Sequence, residues 1–323
     1  MAIVICDISA LEIYRANRFG SFSPSLRARA AERIFSGAEG SLTSAEVQSF
    51  DISRYGVSSS AEPLHLLVAS DKLKHRVRGA ISHVRVGTVT SSMFVELEPN
   101  VYMVSPEMLF LQMAVSLELP ILAELGMELC GSYEVGPYVH RNDVRPRPLT
   151  TPLRLRRFLE MHDGEYGTRK ALAAISHVVE NSWSPMETKL CLLLCLPRTM
   201  GGYSLPKPLM NEEIKLPPHI VLADGRRSLF CDLYWKDRFF VVEYDGREDH
   251  SNRAGVVRDN RKKAVLTSLG IDSISLTSLD VFYADAMDLA AERIACGLGV
   301  KQRPPARSML KKRIELRKTL LFG

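Results

Sequence analysis

The chain has few of the features that mark membrane, secreted or cysteine-stabilised proteins. Its longest apolar run covers residues 190–196, whereas a membrane-spanning helix needs about 20 such residues. The first residues show no basic segment before an apolar stretch, so no signal peptide is predicted. The six cysteines form no C-x-x-C pair, and buried reduced thiols are favoured over a zinc site. These absences predict a cytoplasmic protein with no membrane partner.

The net charge of +5 is concentrated at the C-terminal end. Residues 301–323 contain eight lysines and arginines and one glutamate, a net charge of +7, so the other 300 residues carry −2. We call residues 301–323 the basic tail. Such a segment is attracted to polyanions, of which nucleic acid is the commonest, and a solvated helix that only improves solubility is the alternative. The tail residues predicted to contact nucleic acid are Lys311, Lys312 and Arg313.

The length and composition are those of a folded globular protein, and the helix and strand patterns favour an α/β protein with two domains. The 323 residues are 24% charged and 46% hydrophobic, and this length accommodates two separate cores. Strand-like segments lie between residues 63 and 105, and a buried helix is predicted to begin at residues 105–106. Prolines cluster at residues 137–152 and indicate a boundary. We predict an N-terminal region at 1–137, a linker with a helical pair at 138–180, a second domain at 181–300 and then the basic tail.

Acidic residues lie on two predicted strands of the second domain. Strands are predicted at residues 219–223 and 228–235, joined by an Asp-Gly hairpin turn, and a third strand at 238–246. If the turn between the last two strands has two or four residues, we expect Asp232 opposite Val241. Asp232 then lies on the same sheet face as Glu243 and Asp245, because side chains alternate at period two.

Three carboxylates on one face indicate a cation site. Like charges repel, and removing them from water costs several kcal/mol each. A divalent cation relieves both costs, and oxygen ligands suit Mg²⁺ or Mn²⁺, which also bind phosphate. Such an ion activates water and stabilises the charge that develops on a phosphodiester. A hairpin whose acids face solvent is the alternative. Ahead of these strands, Ser184 and Glu187 form a capping box that predicts a helix start.

The spacing of these residues resembles a family of bacterial nuclease domains. The sequence V-E-Y-D-G at 242–246 is followed by His250, by R-D-N-R-K at 258–262 and by a short predicted strand at 271–275, and S-P-M-E at 184–187 precedes them. Over about residues 181–285, this combination is similar to the PD-(D/E)XK superfamily, close to the very-short-patch mismatch-repair endonucleases. The resemblance implies a restriction-endonuclease-like domain, a mixed sheet flanked by helices.

The resemblance also implies a role for each matched residue. His250 would be the general base or a donor to the developing charge, and Glu187 would orient a metal-bound water. In the wider superfamily a lysine stands where this chain has Asp245, and Lys262 can replace it only if its helix turns it inward. The implied ligands of Mg²⁺ (or Mn²⁺) are Asp232, Glu243 and Asp245. The residues implied to contact phosphates are Arg258, Lys262 and Lys263.

The N-terminal half resembles a second kind of module. S-P-E at 105–107, Q-M-A at 112–114 and L-G-M-E-L at 125–129 are similar to the abortive-infection type IV antitoxin-like regions that often precede this nuclease domain. No helix-turn-helix pattern is recognised before residue 60. The favoured function is metal-dependent hydrolysis of nucleic acid, with DNA as the expected substrate, in defence or repair. The alternative is a non-catalytic nucleic-acid-binding or antitoxin-like regulatory protein that keeps the nuclease fold, with a cognate toxin as partner.

Overall fold

The chain forms two compact α/β units. The computed structural model describes residues 3–17, 44–57, 63–74, 79–85, 87, 89–138, 146–222, 225–246, 253–302, 304 and 306–322. The first unit is Met1–Leu122 with Glu134–Ile175, and the second is Ala123–Tyr133 with Ser176–Gly323. Each contains one mixed sheet flanked by helices, so the predicted α/β class is confirmed. Within the described ranges, no helix has both the length and the apolar character that crossing a membrane requires.

The first unit is built on a five-stranded sheet. Its described helices and strands are β1 (Ile3–Ile5), α1 (Asp7–Ala16), α2 (Ser44–Ser49), β2 (Leu64–Val68), β3 (Ala80–Val84), β4 (Phe94–Glu98), β5 (Val101–Val104), α3 (Pro106–Ser116), α4 (Leu119–Leu129), α5 (Pro152–Met161) and α6 (Thr168–Ile175). The helix α4 begins in the first unit and ends in the second. The strand order is β3-β2-β1-β5-β4. The pairs β1–β5 and β2–β3 are parallel, and the pairs β1–β2 and β4–β5 are antiparallel.

The apolar helix α3 supplies much of the core of the first unit. Ser105 is its N-cap and accepts a hydrogen bond from the backbone N–H of Met108 at 3.3 Å, and Pro106 occupies the first turn. Eight of its residues are buried, and Leu109 and Phe110 are fully so. The buried helix predicted after residue 105 is therefore confirmed. The helical pair predicted beyond residue 152 is present as α5 and α6.

The second unit is built on a four-stranded sheet. Its further helices and strands are α7 (Pro185–Cys195), β6 (Leu209–Lys215), β7 (Ser228–Trp235), β8 (Phe240–Asp245), α8 (Arg253–Ser268), β9 (Asp272–Thr277), α9 (Ser278–Phe282), α10 (Ala284–Gly297) and α11 (Arg307–Phe322). The strand order is β6-β7-β8-β9. Only β8 and β9 pair in parallel, which requires the crossover helix α8 between them. The short strand predicted at 271–275 is confirmed as β9.

The hairpin partner of β7 differs from the prediction. We expected a strand at 219–223, but the partner is β6, and the described part of 219–223 is not a strand. The pairing extends to Leu216, whose N–H donates to the Arg227 carbonyl at 2.9 Å, and then meets Pro217 and Pro218. Proline has no N–H to donate to a ladder, so the strand ends there despite the apolar residues that follow.

The basic tail forms a helix that packs within the second unit. Leu316, Leu320 and Leu321 of α11 are buried. Arg317 is also buried, and its Nη2 donates to the carbonyls of Val281 and Phe282 at 2.8 and 2.9 Å, where α9 ends. Arg317 thus satisfies carbonyl groups that a helix end leaves unpaired. The described part of the tail is an integral element of the unit and not an extended arm.

Candidate functional site

Two acidic side chains lie side by side on neighbouring strands of the second unit. The β7–β8 ladder ends at the pair Leu233–Val242. Beyond this pair, Asp232 and Glu243 line one cleft, and the Asp232 carboxylate raises the pKa of Glu243, so the two side chains lie close together. Their position on one sheet face stays a prediction, because the strand pairing stops before them.

The register of these strands differs from the prediction by two residues. We expected Asp232 opposite Val241, but Tyr234 occupies that place. The connection has four residues, because a short 3₁₀ turn, Lys236–Arg238, is followed by Phe239 with a φ of 51°. Residues other than glycine, asparagine and aspartate rarely adopt this left-handed conformation. The expected Asp232–Val241 pair requires a two-residue connection, and the two additional residues shift the register by two.

Where the ladder between β7 and β8 ends, a side chain accepts the next hydrogen bond from the β8 backbone. Asp232 Oδ2 accepts a hydrogen bond from the backbone N–H of Tyr244 at 2.8 Å. Hydrogen bonds to a charged acceptor are stronger than those between neutral groups. This bond fixes the orientation of the Asp232 carboxylate across the gap between β7 and β8.

A lysine from the crossover helix completes the group. Lys262 Nζ lies 2.6 Å from Glu243 Oε2, and the two side chains are 28% and 18% exposed. Lys262 is one turn before Leu266, which packs in a buried cluster with Cys231 and Val241. Residues four apart lie on the same helix face. The packing of Leu266 therefore directs Lys262 towards the sheet. Lys262 can replace the missing strand lysine only in this orientation.

The Glu243 carboxyl group is held in an unusual electrostatic state. Burial raises its pKa to about 7, the Asp232 carboxylate adds to the rise, and Lys262 limits it. The Cys231 thiol also lowers the pKa, yet the buried Oε1 atom of Glu243 has no hydrogen bond within the part of the chain that the structure describes. For Lys262, burial lowers the pKa, but the Glu243 carboxylate outweighs it and the net shift is upward. Only the Cys231 thiol and the Lys262 ammonium group thus approach the Glu243 carboxyl group as donors among the described residues.

The cleft around these residues is open and strongly charged. Its volume is about 250 Å³, and Ser273 and Ser275 of β9 form part of its wall. When all its acids and bases are ionised, the lining carries one negative charge in excess, which favours a cation. Its charged lining residues are Asp232, Glu243, Asp245, Lys262 and Lys263.

Glu187 is not one of the residues that line this cleft. The predicted cap is present at Ser184, whose Oγ accepts from the Glu187 N–H at 3.1 Å, but among the described residues the Glu187 carboxylate accepts from the N–H of Trp183 and not from that of Ser184, so the capping box is incomplete. Glu187 Oε1 accepts from Ser184 Oγ at 2.9 Å, and Glu187 Oε2 accepts from Trp183 N at 3.0 Å and Asn211 Nδ2 at 2.7 Å. Burial raises the pKa of Glu187, and the Asp232 carboxylate adds to the rise. The two carboxyl groups are therefore electrostatically linked, although Glu187 is already held by three donors.

Asn211 is a residue that the sequence gave no reason to select. It lies on β6 between residues paired with Leu233 and Cys231, which places it opposite Asp232. It is 2% exposed, and its φ of 49° is left-handed. Its Nδ2 donates to the Asn181 carbonyl at 2.9 Å and to Glu187, so the amide orientation is fixed. Its buried Oδ1 has no hydrogen bond within the described ranges.

The remaining predicted residues are placed in different ways. His250 lies outside the described residues, and Arg258 belongs to α8 but its side chain is likewise outside them. Lys311 is exposed on α11, and Lys312 is exposed and donates to the Thr199 carbonyl at 2.7 Å. Arg313 is buried, which withdraws it from any exposed basic surface. Its Nη1 lies 2.5 Å from Asp288 Oδ1, and its guanidinium lies 4.1 Å from the centroid of the Tyr203 ring.

No protein-family model, curated protein or solved structure matches this chain. The restriction-endonuclease-like and antitoxin-like assignments therefore stay predictions, and any assignment of function depends on the geometry of the site.

Proposed function

We propose that the second unit is a metal-dependent phosphodiesterase that hydrolyses nucleic acid, with DNA as its substrate, in defence or repair. The observation that carries this proposal is the convergence of Asp232, Glu243 and Lys262 in one open cleft. Two acids and a lysine are the groups that the PD-(D/E)XK resemblance calls for. In this proposal Lys262 of the helix α8 takes the role of that lysine, because the strand position holds Asp245.

The donor atoms of the cleft fit a hard divalent cation. Asp232 and Glu243 offer carboxylate oxygens from adjacent strands, and the Oε1 atom of Glu243 is buried without a hydrogen bond within the described ranges. Oxygen ligands of this kind suit Mg²⁺ or Mn²⁺. These two residues would hold the ion, with Asp245 at the same cleft. A bound ion would supply activation of a water and stabilisation of charge on the phosphorane oxygens.

The positive side chains of the cleft supply the complementary contacts. Lys262 is anchored to Glu243, and its ammonium group is positioned to hydrogen-bond a phosphate oxygen or the attacking water. Lys263, the next residue, also lines the cleft and adds attraction for the phosphate backbone. The cation competes with a proton for the Glu243 carboxyl group, whose pKa without metal is about 7, so metal affinity should rise as the pH increases through that value.

The test is a cleavage panel of supercoiled plasmid, linear duplex and single-stranded oligonucleotides with Mg²⁺ or Mn²⁺. We expect the wild type to cut at least one of these, and Asp232→Asn and Lys262→Met to cut none. The matched control is Asp237→Asn, which changes an exposed acid in the connection between β7 and β8 and should cut like the wild type. If the wild type and Asp232→Asn bind nucleic acid equally and neither cuts, the non-catalytic binding protein replaces the nuclease.

A further inference from the structure

Three metal-ligating side chains of the first unit converge at the start of α1. Asp7 is the first residue of α1, His65 lies on β2 and His83 lies on β3. In the parallel β2–β3 ladder, His83 pairs with Leu67. Residues two apart on a strand share a face, so His65 and His83 are diagonal neighbours on the same side of the sheet.

The donor atoms are as close together as the ligands of one ion. Asp7 Oδ1 lies 3.4 Å from His65 Nδ1, and Asp7 Oδ2 lies 4.0 Å from His83 Nδ1. His83 Nε2 lies 2.9 Å from His65 Nδ1, and one donor atom from each residue lies within 4.8 Å of the other two. In a tetrahedral zinc site with metal–ligand bonds of about 2.0–2.1 Å, ligand atoms are about 3.4 Å apart. The Asp7–His65 separation equals this value, whereas the two His83 distances involve different ring nitrogens, and with one ligand atom per residue the separations stay within 4.8 Å.

The backbone holds these side chains in place. Asp7 has a left-handed φ of 52°, a conformation that aspartate tolerates better than most residues. Its N–H donates to Gln112 Oε1 at 3.2 Å, and its Oδ1 accepts from the backbone N–H of Ile8 at 2.8 Å. The backbone N–H of His65 donates to Ser9 Oγ at 3.0 Å. A carboxylate held by these hydrogen bonds beside two imidazoles is a pre-organised ligand set.

A cavity of about 640 Å³ gives access to this cluster. Asp7 and His83 line it, together with the apolar residues Leu67, Met108 and Leu111. The side chains of Asp7, His65 and His83 are 20%, 12% and 31% exposed. Arg85 also lines the cavity, but Glu165 neutralises it through contacts of 2.5 and 2.6 Å. An incoming cation therefore meets no uncompensated charge from this arginine.

We propose that Asp7, His65 and His83 bind a transition-metal dication of the zinc class, with a coordination position open to this cavity. Two imidazoles and one carboxylate favour such ions over Mg²⁺, which prefers oxygen ligands alone. Sites with three protein ligands and one open position take water or a small ligand, whereas structural zinc sites are closed by four. This site is independent of the proposed nuclease centre, because it uses other residues and another type of donor. The competing explanation is a hydrogen-bonded Asp–His–His network that binds no metal.

The test uses the full-length, chelator-treated protein in an Asp232→Asn background, which disables the acidic cleft of the second unit. Zn²⁺ is titrated by calorimetry, and Co²⁺ is followed by the visible absorption that reports its coordination. We expect one equivalent of Zn²⁺ to bind and to raise Tm. His83→Gln and His65→Gln should weaken binding by more than about tenfold, the loss typical of even outer-sphere partners. The matched control is His219→Gln, which changes an exposed histidine of the second unit and should bind like the parent.

Folding of the variants is checked by their Tm and circular dichroism without metal. If His83→Gln fails to fold, the Co²⁺ spectrum of the parent decides the question, because imidazole ligation in a site of low coordination number differs from the spectrum of the hydrated ion. Absence of stoichiometric Zn²⁺ binding by the parent, or equal affinity in folded His65→Gln and His83→Gln, would overturn the proposal.

Discussion

At the scale of single residues, the proposed chemistry of the second unit depends on Glu243. The usual pKa of a glutamate is 4.5, and burial raises that of Glu243 to about 7, with Asp232 adding to the rise. The folded protein therefore holds a proton that the unfolded chain releases at lower pH. The stability that this proton contributes is complete below the unfolded pKa and is lost as the pH rises through about 7. A bound divalent cation would substitute for the proton.

This coupling predicts the pH dependence of stability. In the presence of a chelator, wild-type protein should lose on the order of 2–3 kcal/mol of unfolding free energy relative to Glu243→Gln between about pH 5 and pH 8. Urea denaturation at several pH values measures the difference, and Mg²⁺ should restore part of it only in the wild type. Parallel stability profiles for the two proteins would show that Glu243 is ionised throughout this range.

Lys262 should control the pH at which the site binds metal. Because its ammonium group lowers the pKa of Glu243, Lys262→Met should raise that pKa and shift the Mn²⁺ affinity profile to higher pH. The shift is measured by Mn²⁺ titration across the neutral range. Arg261→Met removes an exposed positive charge from the adjacent position and should leave the midpoint unchanged. An equal shift in both variants would mean that the loss of any nearby positive charge changes the Mn²⁺ affinity, and that the contact between Lys262 and Glu243 has no specific effect.

At the scale of elements, an asparagine pair connects β6 to the segment before α7. Asn211 Nδ2 donates to the Asn181 carbonyl at 2.9 Å, and Asn181 Nδ2 donates to the carbonyls of Met210 and Asn211 at 2.8 and 3.3 Å. Asn211, which lies opposite Asp232 on the edge strand β6, also donates to Glu187 in the first turn of α7. The asparagine pair therefore connects β6 to the start of α7.

Removal of this amide should destabilise the second unit. Asn211→Ala leaves the Asn181 carbonyl and Glu187 each with one donor fewer, and such a loss costs about 1–3 kcal/mol. Asn211→Asp adds a like charge beside Glu187, so its deficit should be larger near pH 8 than near pH 5. Chemical denaturation measures both, and Glu213→Ala, an exposed change on the same strand, serves as the control. Equal stability of Asn211→Ala and Glu213→Ala would contradict this role.

Helix α11 carries both buried basic side chains with structural contacts and exposed ones. Arg313→Ala removes the contacts with Asp288 and Tyr203 and should cost about 1–2 kcal/mol of stability. Lys311→Ala should change stability by less than about 0.5 kcal/mol. If the exposed face of α11 contacts nucleic acid, Lys311→Ala should reduce the salt-dependence slope of binding by about 1. An unchanged slope would reject this surface as a phosphate contact, and unchanged stability of Arg313→Ala would reject its structural role.

The sequence predicts those features that depend on local periodicity. The caps at Ser105 and Ser184 follow from local spacing, and the same spacing predicts that Asp232 and Glu243 lie close together, as they do in one cleft. The exact register depends on the length of the connection between β7 and β8, and its four residues place Tyr234 opposite Val241. The strand β6 is missed because it contains the irregular Asn211 and the acidic pair that follows it.

At the scale of the whole molecule, long-range pairing brings together residues that the sequence keeps apart. The inward direction of Lys262 depends on the packing of Leu266 against the sheet, and the approach of Asp7 to His65 and His83 depends on the strand order β3-β2-β1. Neither has a local signal. The two units consequently offer different ligand sets: oxygen donors with lysines in the second, and imidazoles with one carboxylate in the first.

The most direct test of the central claim is anomalous diffraction from a crystal of the full chain soaked with Mn²⁺. The account predicts a peak in the cleft of the second unit, bound at about 2.1 Å by carboxylate oxygens of Asp232 and Glu243. A fully occupied Mn²⁺ elsewhere with none between these two carboxylates would contradict the account.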